Sequence, residues 1–256
     1  MKHALLLTSM FFLISFKIGE RKDVDIHKFI KNFVRVKDNL YVSKYETTNL
    51  DYRNFLSDLK ENGTNELYLK CLPDSLVWDE QNKSNEPFVK YYFRFPSYNN
   101  YPVVGISYES AKEYCNWLTD KYNEEPKRKF RKVIFTLLSK NDWIFAANNG
   151  NNNKEYTWGN ELEQNKKSRN LCNYRDLEKI IIAREAITSP AKSFTPNSLG
   201  IYNMCGNVAE MVEEKGIAKG GSYKDDANGV KISSEKIYTK PTSDIGFRIA
   251  MRILEK

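Results

Sequence analysis

Only three stretches of this chain carry a sustained helical period, and each opens on a capping signal, so the fold has to be built around them. Tyr52, Phe55, Leu56 and Leu59 recur at i, i+3, i+4 and i+7 after Thr48-Asn49, and the run stops near Gly63. Ser107 is a good N-cap for a second apolar face of Ala111, Tyr114, Cys115, Leu118 and Tyr122. Ser139-Lys140-Asn141-Asp142 has the pattern of a capping box and leads into Trp143, Phe145, Ala146 and Ala147. Short β-type runs stand at Leu40–Ser43, 133–136 and 246–253. Elsewhere the chain is rich in Asn, Gly, Pro and aromatics, with no sustained period, no internal repeat and no long linker. This pattern predicts one α+β domain over 22–256, with three main helices, few short strands and a large irregular share.

Composition narrows the function classes. At 256 residues, 41% hydrophobic and 13% aromatic, the chain has the material for a buried core and is not a disordered protein. The net charge of +7 is spread along the sequence and makes no argument for nucleic acid. The sharpest basic cluster, from Pro126 to Lys132, reads as a solvated loop between the second helix and a strand; residues 148–153, around Gly150, read as a turn-rich loop. The two histidines, His3 and His27, both lie near the N-terminus. A histidine metal site, a Ser-His-Asp triad or a Cys-His pair in the body of the fold is thereby excluded.

Met1-Lys2-His3 precedes thirteen uncharged residues, 4–16, and then Lys17. Spanning a hydrocarbon core takes about 20 apolar residues, so this run is too short for a stable membrane span and reads instead as a secretory signal over 1–21. Gly19 is a candidate cleavage position, and no cysteine follows the run to carry a lipid. The expectation is export to the periplasm or cell envelope. In an oxidising compartment Cys71, Cys115, Cys172 and Cys205 allow up to two disulfides in three pairings. No C-x-x-C occurs, so neither a zinc knuckle nor a redox dithiol is supported. Cys115, on the apolar face of the second helix, is expected to be a buried, inert thiol.

From Tyr41 onward, short motifs follow one another in a recognisable order. Val42-Ser43-Lys44-Tyr45-Glu46-Thr47-Thr48-Asn49 is followed by Tyr101-Pro102-Val103-Val104-Gly105-Ile106-Ser107-Tyr108 and by Tyr114-Cys115-Asn116-Trp117-Leu118. Then come Thr136-Leu137-Leu138-Ser139 with Trp143, Tyr156-Thr157-Trp158-Gly159-Asn160, and Asn203-Met204-Cys205-Gly206-Asn207-Val208-Ala209-Glu210. Lys219-Gly220-Gly221-Ser222-Tyr223 and Gly246-Phe247-Arg248 close the series. Together they resemble the sulfatase-modifying-factor, or formylglycine-generating-enzyme, family, and the resemblance implies its fold, an irregular variant of the C-type-lectin fold. Leu72-Pro73-Asp74-Ser75-Leu76-Val77-Trp78, Glu86-Pro87-Phe88 and Tyr98-Asn99-Asn100 are similar to an insertion in the gliding-motility lipoproteins of the type IX secretion apparatus. The chain departs from that branch in lacking the lipidated cysteine.

What the resemblance implies about chemistry is mostly negative. The family's oxidases hold copper through two cysteines just after the Gly-Gly-Ser-aromatic motif, where soft thiolates suit Cu(I). Alignment on Gly220-Gly221-Ser222-Tyr223 puts Asp225 and Val230 at those positions, and no cysteine follows Cys205. No copper is therefore expected. The family branch that uses histidine-held iron is excluded by the histidine count. The family's partner for Cys115 would stand where this chain has Ile249, so that bridge is not expected. A calcium site fares better: its matching positions are Asn203, Gly206, Val208 and Glu210, a side-chain oxygen, two carbonyls and a carboxylate, which suit a hard cation. A first family calcium site, at Asn170 and Leu171, is expected to be lost because its aspartate position is Ala183.

Two readings follow. The first is an exported, non-catalytic binding or structural module that works with envelope or secretion-system proteins. The second is an enzyme of the same fold with a non-copper site drawn from Ser222, Asp225 and Asp226, where two acids could act as acid and base.

Overall fold

The computed structural model describes residues 25–79, 86–161, 171–175 and 187–256. The expected signal at 1–21 lies outside them, as do Asn170 and Ala183 of the calcium site expected to be lost. The described residues form a mixed α/β fold with six α-helices and two four-stranded sheets, more regular structure than the sequence periods alone foretell.

The three expected helices form with the caps assigned to them. Helix α2 (Asn49–Asn62) starts at Thr48, whose side chain accepts from the Asp51 backbone N–H while Asp51 answers the Thr48 backbone, a full capping box. Tyr52, Phe55, Leu56 and Leu59 are all buried. Helix α5 (Tyr108–Glu124) starts at Ser107, and its Ala111, Tyr114, Cys115, Leu118 and Tyr122 stripe is buried. Helix α6 (Lys140–Asn148) starts at Ser139, but its box is one-sided. The Asp142 carboxylate accepts from Ser139 Oγ and turns to Lys37 and Arg252, each at 2.5 Å, because two cations offer more than one backbone N–H. Trp143, Ala146 and Ala147 are buried, whereas Phe145 stays partly exposed under the Lys37 ammonium. Three short helices carry too few turns for a period to register: α1 (Ile26–Ile30), α3 (Asn65–Lys70) and α4 (Glu86–Tyr91).

Strands β1 (Phe33–Lys37), β2 (Leu40–Ser43), β3 (Lys132–Leu137) and β8 (Ile249–Glu255) make the first sheet, in the order β1-β2-β8-β3, antiparallel throughout. The side-chain alternation of its strands divides the core in two. Val133, Phe135 and Leu137 of β3 and Ile249 and Met251 of β8 face the helices α2 and α5. Leu40 and Val42 of β2 and Ala250 of β8 face Trp143, Ala146 and Ala147 of α6.

Strands β4 (Ala209–Met211), β5 (Ile217–Lys219), β6 (Glu235–Ile237) and β7 (Ile245–Phe247) make the second sheet, in the order β6-β5-β4-β7. The run expected as one strand over 246–253 is two elements. Its first part pairs with β4 in the second sheet, and its second part crosses to the first sheet, with Arg248 as the residue between. A third, smaller core joins Val77, Trp78, Tyr92 and Val104 to Val208 and Tyr223. The basic stretch after Pro126 is mostly exposed and links α5 to β3, the solvated loop the sequence suggests.

Candidate functional site

The turn from Asn203 to Glu210 depends on left-handed backbone. Asn203, Gly206 and Asn207 have φ of +55°, +77° and +68°, a conformation that glycine adopts freely and asparagine tolerates best among side-chain-bearing residues. A side chain on Gly206 would collide with the Asn173 carbonyl, which in turn accepts from the Asn207 N–H at 2.7 Å.

Beyond the turn, Glu210 enters β4 and is sealed. Arg248 grips its carboxylate, Nη2 to Oε1 at 2.6 Å and Nε to the two oxygens at 3.0 and 3.1 Å. The Trp143 indole N–H donates to Oε2 at 2.7 Å. The remaining Arg248 donors reach the Ser43 and Tyr202 carbonyls, at 3.0 and 2.7 Å. Glu46 lies against this cluster. It accepts from Asn203 Nδ2 at 3.0 Å and from Asn207 Nδ2 at 2.7 Å. Burial pushes its pKa up to about 8; Arg248 opposes the rise and Glu210 adds to it. Glu46 also lines a cavity of about 450 Å³ with Tyr45, Asn100 and Lys192.

The four positions of the calcium expectation fit a cation in part. Asn203 Nδ2 is used by Glu46 and by the Ala191 carbonyl, but Asn203 Oδ1 is buried with no hydrogen-bond partner, as a waiting ligand would be. Gly206 and Val208 lie on the same turn. Glu210 is already engaged on both oxygens, so an ion there would share the carboxylate with Arg248. Among the described residues no cluster of three or more His, Cys, Asp or Glu side chains is placed to hold a metal.

The second constellation surrounds Ser222. After Gly220 and Gly221, both at positive φ, the chain turns so that Ser222 Oγ lies 2.6 Å from Asp225 Oδ2 and 3.1 Å from Asp244 Oδ2. The Lys236 ammonium reaches Asp225 at 2.7 Å and ion-pairs with Asp244 as well. Burial works against charge on Lys236, yet the two carboxylates outweigh it and hold its pKa above the ordinary lysine value. The same ammonium overcomes burial at Asp244 and holds that carboxyl below the ordinary range. Asp225 and Lys236 line a cavity of about 440 Å³. Of the residues singled out in the sequence, Ser222 and Asp225 come together. Asp226 instead caps the Gly229 N–H at 2.9 Å on the exposed side of the turn, and Val230 is fully buried in the core.

Sequence reasoning missed Lys236 and Asp244, whose contacts join segments 8–22 residues apart with no local period. It also missed the role of Arg248, although a lone arginine inside the apolar run 245–251 is a signal of a buried charge partner.

Chemically the Ser222 constellation is closed. Activating a serine takes a base free to accept its proton. Here the lysine is held in its charged form and both carboxylates are engaged with it. The donors available are hard oxygens and an ammonium, and Asp225 and Val230 cannot form a Cu(I) dithiolate, so the residues present do not fit copper. The four cysteines are free thiols and all are buried. Burial pushes Cys115 and Cys205 up to about 12, which leaves almost no reactive thiolate at neutral pH.

Comparison with known proteins agrees in family and in fold. A model of the sulfatase-modifying factor enzyme 1-like domain matches residues 15–253. The inactive C-alpha-formylglycine-generating enzyme 2 of Bos taurus is 24% identical over 241 residues, covering 80% of this chain and 75% of its own length. The formylglycine-generating enzyme of Thermomonospora curvata is 30% identical over 115 residues, which is 43% of this chain but only 32% of that enzyme. The crystal structure of CarF superposes with a TM-score of 0.55 at 20% identity, over 84% of this chain and 86% of that one, so the fold is shared.

Proposed function

The chain belongs to the sulfatase-modifying factor enzyme 1-like domain family, and we propose that within it this protein is a non-catalytic member that serves as a binding or structural module. One observation carries the reading. Lys236 is bound between Asp225 and Asp244 beside Ser222, so an ion-paired carboxylate at Asp225 and a buried side chain at Val230 stand where the resemblance places the two oxidase thiolates. The inactive bovine relative, matched over most of both chains, supports the same reading.

We extend the proposal to setting. The apolar run near the N-terminus and the resemblance of residues 72–100 to the insertion of gliding-motility proteins support an exported protein of the periplasm or cell envelope, working with envelope or secretion-system proteins. Among the described residues no helix is long and apolar enough to cross a membrane. The overall architecture is, in this proposal, an irregular variant of the C-type-lectin fold. The Asn203–Glu210 turn is proposed to hold one structural calcium ion through Asn203 Oδ1, the Gly206 and Val208 carbonyls and Glu210, a set whose unpartnered buried oxygen supports the assignment.

The test of the central claim is direct. A cysteine peptide of the sulfatase type, incubated with the protein, copper and reductant, is expected to keep its mass. An aldehyde product made by the unaltered protein sinks the non-catalytic reading.

A further inference from the structure

A groove of about 330 Å³ opens between α2, α3 and α4, far in sequence from Ser222 and from the Asn203 turn. Its floor is apolar, formed by Leu56, Tyr68 and Phe93, and its lining carries Arg53, Lys60, Lys90 and Arg94 with no carboxylate. Lys60 and Arg94 have no ion-pair partner among the described residues. Lys90 pairs with Glu86 at 2.5 Å, but both side chains are more than half exposed, and such a pair is weak enough to be exchanged for an incoming carboxylate. Arg53 differs, because it donates to the Phe93 carbonyl and the Asn99 side chain, which fix its guanidinium in place.

The two segments that form the walls also carry exposed apolar side chains. Leu69, Leu72, Leu76, Tyr91 and Phe95 range from 40 to 66% exposed. Single exposed hydrophobics are ordinary on a soluble protein, but five of them on segments flanking one recess are the mark of a contact surface.

We propose that this groove docks an acidic, extended segment of a partner protein, which seats one large apolar side chain on the floor and pairs its carboxylates with Lys60, Lys90 and Arg94. The proposal rests on the reading of the chain as a binding module and names the partner's chemistry. A negatively charged lipid surface fits less well. A flat bilayer would use the exposed side chains alone, whereas the groove adds a buried to half-buried apolar lining of Leu56, Tyr68 and Phe93 that an extended chain can enter.

The experiment uses the full chain and fluorescein-labelled peptides read by anisotropy at low salt. Glu-Glu-Phe-Glu-Glu is expected to bind about tenfold more tightly than Lys-Lys-Phe-Lys-Lys, to weaken as salt rises, and to lose most affinity when its Phe becomes Gly. The exposed double variant Lys60→Glu with Arg94→Glu should weaken it about tenfold, with melting used to check the fold. Leu72→Ser, a second variant that leaves every charge in place, should reduce only the part of the affinity that depends on Phe. The proposal is overturned by absence of binding up to millimolar peptide, by equal binding of the acidic and basic peptides, or by indifference to the charge-reversing pair. Binding to phosphatidylserine vesicles without binding to the acidic peptide overturns it too. Aldehyde formation on the cysteine peptide would remove the non-catalytic reading and leave the peptide-binding result to be judged by itself.

Discussion

Arg248 and Glu210 hold each other across the join of the two sheets, Nη2 to Oε1 at 2.6 Å, with side chains 0% and 1% exposed. Neither has solvent to fall back on. The arginine also ties down the Ser43 and Tyr202 carbonyls, so a single side chain links β2, the approach to the Asn203 turn, and β4.

Removing one partner from such a pair leaves a buried charge uncompensated, and Arg248→Met is expected to cost roughly 3–5 kcal/mol of stability. Glu210→Gln keeps an acceptor for Trp143 but leaves the arginine, which cannot shed its proton, facing a neutral side chain, and should cost a similar amount. Urea unfolding of both singles and of the double variant gives the coupling. A double variant as unstable as the sum of the singles would deny that the two act as a pair.

Glu46 gives the molecule a pH dependence of definite sign. In the folded state it keeps its proton up to about 8, against an ordinary value of 4.5 in the unfolded chain. Unfolding between those values releases a proton. Stability therefore falls as pH rises through the window, by roughly 1.4 kcal/mol per pH unit from this group alone, and is fully present below the unfolded value. Urea titrations in chelator at pH 5.5 and 8.5 should show the native protein losing more stability than Glu46→Gln across the interval. Parallel slopes for the two proteins would contradict the assignment.

Calcium should be readable without any activity. A ligand that binds only the folded state raises the melting temperature with the logarithm of its concentration. Millimolar calcium added after chelation is expected to raise Tm, and Asn203→Gly should abolish most of the rise. Glycine is the right probe because it removes Oδ1 while accepting the φ of +55° that other residues resist. Identical melting curves in calcium and chelator count against the site.

The helices were legible because their signals are local. Thr48, Ser107 and Ser139 each sit one residue before a helix that carries an apolar stripe, and hydrogen bonds three residues away are all that a cap requires. The second sheet was not legible, since its four strands have three residues each and no period survives at that length. The strand over 246–253 was read as continuous because apolar residues stand on both sides of Arg248; what divides it is a change of partner, from β4 to β2 and β3, which no local pattern records. At the candidate site, motif order located Ser222, Asp225 and the Asn203 turn. Lys236 escaped because nothing in its own neighbourhood distinguishes it from a surface lysine.

Strand β8 runs between β2 and β3, yet it is the last of the three to be synthesised. While residues 40–248 emerge, the β1–β2 hairpin and β3 have no strand to join them, and a lone hairpin is marginal in water. The first sheet therefore closes only after residue 255 has been made, and its α2 and α5 face waits uncovered until then. Closure of this sheet in this sense waits for residues 249–255, and it rests on contacts more than 100 residues apart, the kind that form slowly and leave apolar edges open to other chains in the meantime.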